Sequence, residues 1–351
     1  MTPEDGPLPM KRENLPCSRI FAEFHPENEG EVSASLPDLC QQLLTRQIAS
    51  WPKLRSGWKA VAQSSVRTVD CDDFSVTLQF NPQRIVSSGA SVDPVSISAR
   101  PCFLCPANLP EAQQAILYRL NFLVLCNPFP IFTQHFVISS LDHRPQSLEE
   151  ELDIFLLLAR DLAPSLTVFY NGPQCGASAP DHLHFQACPM GSLPIEKQLD
   201  DRRPHPPVIK HASASVSRVE NLGRAVLMIE GQDANALGGV MRKLLAVMKT
   251  SEEAGSDAEP MLNAHAAFKE GQWRILLFPR QKNRPDLYYR AEPERVLISP
   301  GSVEMGGLII TPVEKDFQRL NSQLVRHIYR EVSVTPALLD KWTDLLNQML
   351  D

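Results

Sequence analysis

The stretch NGPQCGASAPDHLHFQA, residues 171–187, holds the side chains best suited to chemistry. His182, His184 and Gln186 alternate. In a β-strand this puts two imidazoles and an amide on one face and sends Leu183, Phe185 and Ala187 to the other. An imidazole on a strand can attack phosphorus when a neighbour fixes its tautomer and donors stabilise the developing charge. His184, at the centre of the triplet, is the candidate nucleophile. Gln186 is placed to donate its amide N–H to a phosphoryl oxygen. The preceding loop offers Gly172, Gly176, Ser178 and their backbone N–H groups to phosphate oxygens, and Asn171 to a ribose or a phosphate. The competing reading is a polar strand whose histidines face solvent or satisfy core hydrogen bonds.

A second constellation lies upstream. In RPCFLCPANLP, Cys102 and Cys105 have the C-x-x-C spacing that lets two thiolates hold one tetrahedral Zn²⁺. That is half a site; His143, in SSLDHRPQSLEE, and His182 are candidates for the rest. A redox role is the weaker alternative, because no thioredoxin-like pattern surrounds the pair. The plain alternative is two buried small side chains in a Pro-bounded loop.

Softer candidates are scattered. Asn81 and Arg84, in FNPQRIVSSGASVD, could meet a base or ribose and phosphates, or be a turn with a surface arginine. Lys197 in PIEK could pair with a phosphate. Arg280 and Lys282, in FPRQKNRP, could neutralise an anionic acceptor, or belong to a solvated loop. Asn263 and Glu304 are weaker still. His135, His205, His211, His265 and His327 have no partner pattern and read as structural or surface residues.

The remaining sequence must position these groups. With 351 residues and 43% hydrophobic content, the chain can bury a sizeable core and exceeds one typical domain. A net charge of −7 and no basic block argue against a nucleic-acid partner. Eight cysteines, mostly isolated, make no disulfide framework. The N-terminus lacks an apolar segment of signal-peptide type, and the longest apolar runs are strand-length, so the expectation is a cytoplasmic protein with no membrane partner. Residues 1–32, rich in Pro, Glu and Asn, read as loose. LPDLCQQLLTRQIASWPKL and SLEEELDIFLLLARDLA have helical spacing, the latter with Ser147 and Glu150 as a capping box. FSVTLQF, LNFLVLC, QHFVISS and SLTVFYNG read as strands, with DHLHFQACPM pairing to the last. Pro and charge in LDDRRPHPPVIKH mark a boundary near residue 200. Beyond it come a strand (RAVLMIEG), a helix (ANALGGVMRKLLAVMKT), a hairpin with a Glu-Gly turn (MLNAHAAFKEGQWRILLFPR), a strand (GGLIITP) and two helices (EKDFQRLNSQLVRHIYREV and PALLDKWTDLLNQML). The expected organisation is a loose segment 1–32, a catalytic half 33–200 and a second half 201–351 with a similar strand–helix rhythm.

GASAPDHLHFQA resembles the transferase branch of the histidine-triad superfamily. That branch includes galactose-1-phosphate uridylyltransferases, diadenosine tetraphosphate phosphorylases (ATP adenylyltransferases) and GDP-hexose phosphorylases. The Asn…Gly-Ala-Ser-x-Pro approach is most similar to the diadenosine tetraphosphate enzymes, and HLHFQA…LPIEK to plant-type GDP-hexose phosphorylases. Together these features resemble a bacterial-type branch of the group. The resemblance covers residues 80–200 well; WRILLFPRQKNRP and SVEMGGLIITPVEKDF resemble the family's second half less specifically. It implies an α+β fold of two histidine-triad-like halves, each a mostly antiparallel sheet flanked by helices. It implies that His184 forms a nucleotidyl-histidine, which phosphate or a sugar phosphate then accepts, with Gln186 in place of the hydrolases' third histidine. The donor would be a nucleoside-diphosphate hexose or a dinucleoside polyphosphate. The alternatives are a sugar-1-phosphate nucleotidyltransferase of uridylyl type and a nucleotide-binding sensor without turnover. The resemblance also implies a structural zinc on Cys102, Cys105, His143 and His182, and a homodimer. One departure stands out: Asp181 precedes the first histidine where the uridylyltransferases have Asn-Pro, so the loop around the phosphates differs.

Overall fold

The computed structural model describes residues 17–26, 34–85, 89, 93–201, 204–251 and 259–350. Among these, eleven strands form one sheet. From the N-terminal half come β1 (Ile20–Phe24), β4 (Ala115–Tyr118), β5 (Phe122–Cys126), β6 (Phe136–Ser140), β7 (Leu166–Asn171) and β8 (His184–Pro189). From the C-terminal half come β9 (Pro207–His211), β10 (Ala214–Arg218), β11 (Leu227–Gly231), β12 (Leu262–Lys269) and β13 (Gln272–Pro279). Their order is β1-β4-β5-β6-β8-β7-β12-β13-β11-β10-β9, antiparallel throughout except for the parallel β1–β4 pair. The two halves meet where Asn171 to Val168 of β7 pair with Asn263 to Ala266 of β12, so one sheet runs through both. A second, three-stranded sheet also draws on both: β14 (Leu308–Thr311) lies parallel to β3 (Ser75–Phe80), which pairs with β2 (Ser65–Asp70).

Ten helices accompany the sheets among the described residues: α1 (Leu36–Ser50), α2 (Pro52–Ala62), α3 (Pro94–Ser98), α4 (Leu152–Asp161), α5 (Pro194–Asp201), α6 (Ala234–Ser251), α7 (Ser302–Met305), α8 (Glu314–Arg319), α9 (Ser322–Val332) and α10 (Pro336–Leu350). One apolar cluster packs α1, α4, α6 and α10 against one face of the large sheet. A second packs the small sheet, α5 and α9 against the other. Leu183, Phe185 and Ala187 all join the first cluster, as alternation requires, so His184 and Gln186 face the small sheet.

Several expectations need correction. Much of the segment read as loose lies outside the described residues, but Ile20–Phe24 within it forms β1, because Ala115–Tyr118 offers an open edge for pairing. The first helical stretch is two helices: Trp51 is extended, as a residue before proline prefers, and Pro52 starts α2. Glu150 N–H does reach Ser147 Oγ at 3.4 Å, yet α4 begins only at Leu152. The stretch from Glu314 to Val332 is likewise two helices, the second capped by Asn321, whose Oδ1 accepts from Leu324 N–H at 3.0 Å. The Glu270–Gly271 turn forms as expected, both residues having positive φ, which suits the tight β12–β13 hairpin.

β8 is anchored through Phe185. Its ring is fully buried and packs on Phe155, Tyr170 and Phe122 with centroids 5.5, 5.8 and 6.5 Å away. Phe185→Ala should destabilise the chain by about 3–5 kcal/mol. Urea unfolding measures this; a loss below about 1 kcal/mol would mean that β8 is held by something other than this packing.

Candidate active site and metal-binding cluster

His184 opens β8, and its ring is fixed by its own chain. Nδ1 lies 2.8 Å from the carbonyl oxygen of His182. A carbonyl only accepts, so Nδ1 carries the proton and Nε2 keeps its lone pair. Burial lowers the imidazole pKa, which favours that neutral form. The backbone of His184 is gripped by Gln146: Oε1 accepts from His184 N–H at 2.7 Å, and Nε2 donates to the carbonyls of His184 (3.1 Å) and Asn171 (2.9 Å).

Gln186 is oriented by a second imidazole. The His135 ring accepts Ile131 N–H on Nδ1 at 3.0 Å, so its proton sits on Nε2, which donates to Gln186 Oε1 at 2.9 Å. With its oxygen engaged, Gln186 presents its NH₂ end to the cavity that it lines. Burial and the nearby Arg84 push the His135 pKa down to about 3, so this ring stays neutral.

Asn171 closes β7 and holds the loop after it. Its Oδ1 accepts from Asn263 Nδ2 (3.0 Å) and from Ser302 N–H (2.7 Å), which leaves its own amide donors for the cavity. Gly176 has φ +98°, and a Cβ there would stand 2.7 Å from Gly301 Cα, so only glycine fits this crossing.

These groups surround one cavity of about 610 Å³, within the range of small-molecule sites. Asn171, Gly176, Ser178, His184 and Gln186 share its wall with Arg84, Lys53, Arg100 and Arg284. Arg100 donates to the Ser178 carbonyl at 2.8 Å and lies over the Phe103 ring; Lys53 lies over Phe129. Glu304 is the one carboxylate of the wall among the described residues. It accepts Gly301 N–H at 2.9 Å, and burial raises its pKa.

Other sequence candidates fall elsewhere. Asn81 is buried and does not line the cavity; its Nδ2 donates to the Pro130 carbonyl at 3.3 Å. Lys197 is exposed on α5: Ile195 and Leu199 turn into the core and leave it on the far face. Arg280 is buried and spends its donors on the carbonyls of Val332, Pro300, Lys282 and Asn283 and on Asn263 Oδ1. It therefore braces the 280–300 loop instead of meeting an anion. Lys282 is paired with Asp286 and Glu331 and lies outside the cavity wall. Sequence reasoning missed Gln146, His135, Lys53, Arg100 and Arg284. Their partners are remote in sequence, so no local spacing marks them.

Cys102, Cys105, His143 and His182 converge, with all four ligand atoms within 4.8 Å of one another. The Cys102 Sγ–His182 Nδ1, Cys105 Sγ–His143 Nδ1 and His143 Nδ1–His182 Nδ1 separations are each 3.3 Å. Ligands of a tetrahedral ion bound at ordinary N and S distances stand roughly 3.3–3.8 Å apart. His182 Nε2 donates to the Ser140 carbonyl at 2.9 Å, which aims the Nδ1 lone pair at His143 and the thiols. Two thiols and two imidazole nitrogens so arranged could bind a metal ion.

Among the described residues no helix is long and apolar enough to cross a membrane. A domain of unknown function, DUF4922, matches residues 43–189, which include the metal cluster, Gln146 and the His-x-His-x-Gln strand. No curated protein matches the sequence at a significant level. The solved structures supply the fold. Yeast Ap4A phosphorylase Apa2 in complex with AMP is 15% identical, with a TM-score of 0.55 over 84% of this chain and 96% of that one. The same enzyme in complex with Ap4A gives 15% identity and a TM-score of 0.52, over 84% and 97%. The chain thus shares the fold of yeast Ap4A phosphorylase.

Proposed function

We propose that the chain is a nucleotidyltransferase that works through a covalent nucleotidyl-His184, with a dinucleoside polyphosphate as donor and phosphate as acceptor. The observation that carries this reading is His184 itself: a neutral imidazole, tied at Nδ1, whose free Nε2 belongs to a cavity with four cationic side chains. His184 Nε2 attacks the α-phosphorus. A P–N bond forms, the bond to the bridging oxygen breaks, and the rest of the donor leaves as a nucleotide. A phosphate oxygen then attacks the same phosphorus, releases His184 and gives a nucleoside diphosphate. Two inversions leave net retention. Gln186 NH₂ and Asn171 NH₂ donate to the phosphoryl oxygens, and Lys53, Arg84, Arg100 and Arg284 offset the polyphosphate charge. An amide is a poor proton donor, which favours transfer over hydrolysis. Among the described residues, four cations against one carboxylate suit a long polyphosphate bridge better than the diphosphate of a nucleotide sugar. The metal would be zinc on Cys102, Cys105, His143 and His182, a closed structural site that braces the loop before β8. Glu304 favours a second reading, transfer to or from a hexose phosphate, because a carboxylate on the wall accepts from sugar hydroxyls.

Brief mixing with Ap4A and a panel of nucleoside-diphosphate hexoses, without phosphate, tests the two readings. Intact mass should rise by one AMP with Ap4A, and His184→Ala should give no adduct and at least about 10³-fold less turnover while still binding AMP. An adduct from a hexose donor alone would select the second reading. Nucleotide binding without any adduct would make the chain a sensor.

The pH dependence carries its own sign. Protonated His184 cannot attack, and burial lowers its pKa, so adduct formation should fall only on the acid side of the ordinary imidazole range and stay level around neutrality. Stopped-flow rates against pH measure this; an acid limb centred above that range would remove the buried imidazole from the mechanism.

For the metal, elemental analysis should find one zinc per chain. Cys105→Ser should lose it and lower Tm by at least about 5 °C. Full metal content in that variant would place the ion elsewhere.

A further inference from the structure

We propose that Gln146 is a positioning residue for the nucleophile, its side-chain amide standing in for a backbone rung that β7 and β8 do not make. The inference rests on the reading of His184 as nucleophile. The two strands pair in antiparallel register from Leu166–Pro189 to Phe169–Gln186, and the ladder stops there. Continued by two residues, that register sets Asn171 opposite His184. In an antiparallel ladder every second opposed pair exchanges its N–H and C=O groups, and Met190 N–H donating to the Ser165 carbonyl at 2.9 Å puts Asn171 and His184 in the bonded phase. Here the Gln146 amide stands between them. It takes His184 N–H on its oxygen and gives its two N–H groups to the carbonyls of His184 and Asn171. A primary amide has one carbonyl oxygen and two N–H donors, and here the oxygen and both donors are engaged in a buried place. Strands bridged by an amide stand farther apart than strands bonded directly. The loop carrying Gly176 and Ser178 leaves from this opening.

Gln146 is itself tethered to the strand that it holds. Its N–H donates to the Pro180 carbonyl at 3.0 Å, and Leu183 N–H donates to the Arg144 carbonyl at 2.6 Å. Residues 144–146 are thus laced to 180–184, just beyond His143 of the metal cluster. His184 is therefore held from two sides: its ring by the His182 carbonyl and its backbone by Gln146. No other residue type reproduces both halves of this clamp with the same reach except in part. Glutamate keeps the acceptor for His184 N–H and loses the donors; leucine keeps the bulk and loses both.

The test uses the full metal-loaded chain and compares wild type, Gln146→Glu and Gln146→Leu. Three quantities are read: the AMP dissociation constant, the single-turnover rate of AMP-adduct formation from Ap4A, and the solvent exchange of the His184 Nδ1 proton by NMR. Gln146→Leu should slow adduct formation by about 100-fold while AMP affinity stays within about threefold, since small misplacements of a nucleophile cost rate before binding. Its Nδ1 proton should exchange at least about tenfold faster. Gln146→Glu should fall between the two in rate. Adduct formation in Gln146→Leu within threefold of wild type overturns the proposal. So does a loss of AMP binding as large as the loss of rate, which would mark Gln146 as a purely structural residue. If wild-type protein forms no adduct with any donor, the nucleotidyl-transfer reading falls by itself. The proton-exchange comparison then still decides whether Gln146 positions the ring, unchanged exchange overturning it.

Discussion

The hydrogen bond from His184 Nδ1 to the carbonyl of His182 is the constraint on which the site depends. It fixes one tautomer and points Nε2 at the cavity. The bond is local, between residues two apart, but it orients the ring only if the backbone that bears it is held. Gln146 supplies that hold on one side, and the Phe185 aromatic packing supplies it from beneath. His182 takes part twice. Its carbonyl receives the His184 proton while its own ring turns into the metal-binding cluster.

A second layer of buried polar groups works on the same logic. His135 is neutral because burial and Arg84 disfavour its charge, and its proton sits on Nε2 because Ile131 N–H occupies Nδ1. Gln186 must then turn its oxygen to His135 and its NH₂ to the cavity. Arg280 acts at longer range. It bonds Asn263, which bonds Asn171, whose oxygen also receives Ser302 N–H. A cation with no contact to the cavity thereby sets the direction of an amide on its wall. Such networks align the donors of the cavity wall in advance of any ligand.

What the sequence discloses follows from range. Alternation over His184–Gln186 reads out one face of β8, while His182 stands just before the strand and turns its ring to the metal cluster; C-x-x-C reads out half of that cluster, because both patterns are local. His143 emerges only as a candidate ligand until the fold brings it to 3.3 Å from Cys105 Sγ. Arg280 and Lys282 look alike in a charged loop, yet one is buried as a brace and the other is ion-paired at the surface; the burial of Arg280 comes with partners at Asn263, Pro300 and Val332, which no short window contains. Lys53, Arg100 and Arg284 come from α2, the turn after α3 and the loop after β13, and only the tertiary fold brings them to one cavity wall. The single continuous sheet is also non-local, since it rests on the pairing of β7 with β12 across the intervening strands and helices.

The last piece of the cavity arrives late in the chain. Gly301 closes against Gly176, Ser302 N–H caps Asn171, and β14 completes the small sheet by pairing with β3 from the far N-terminal side. During synthesis, His184 and its loop therefore leave the ribosome long before the segment that walls them in. Contacts of such long sequence separation form slowly, because the loop must close before they reward it. A nascent chain carries the His184 imidazole for some time before the cavity around it is enclosed. The order in which the residues are translated thus makes the enclosed cavity one of the last features of the fold to form.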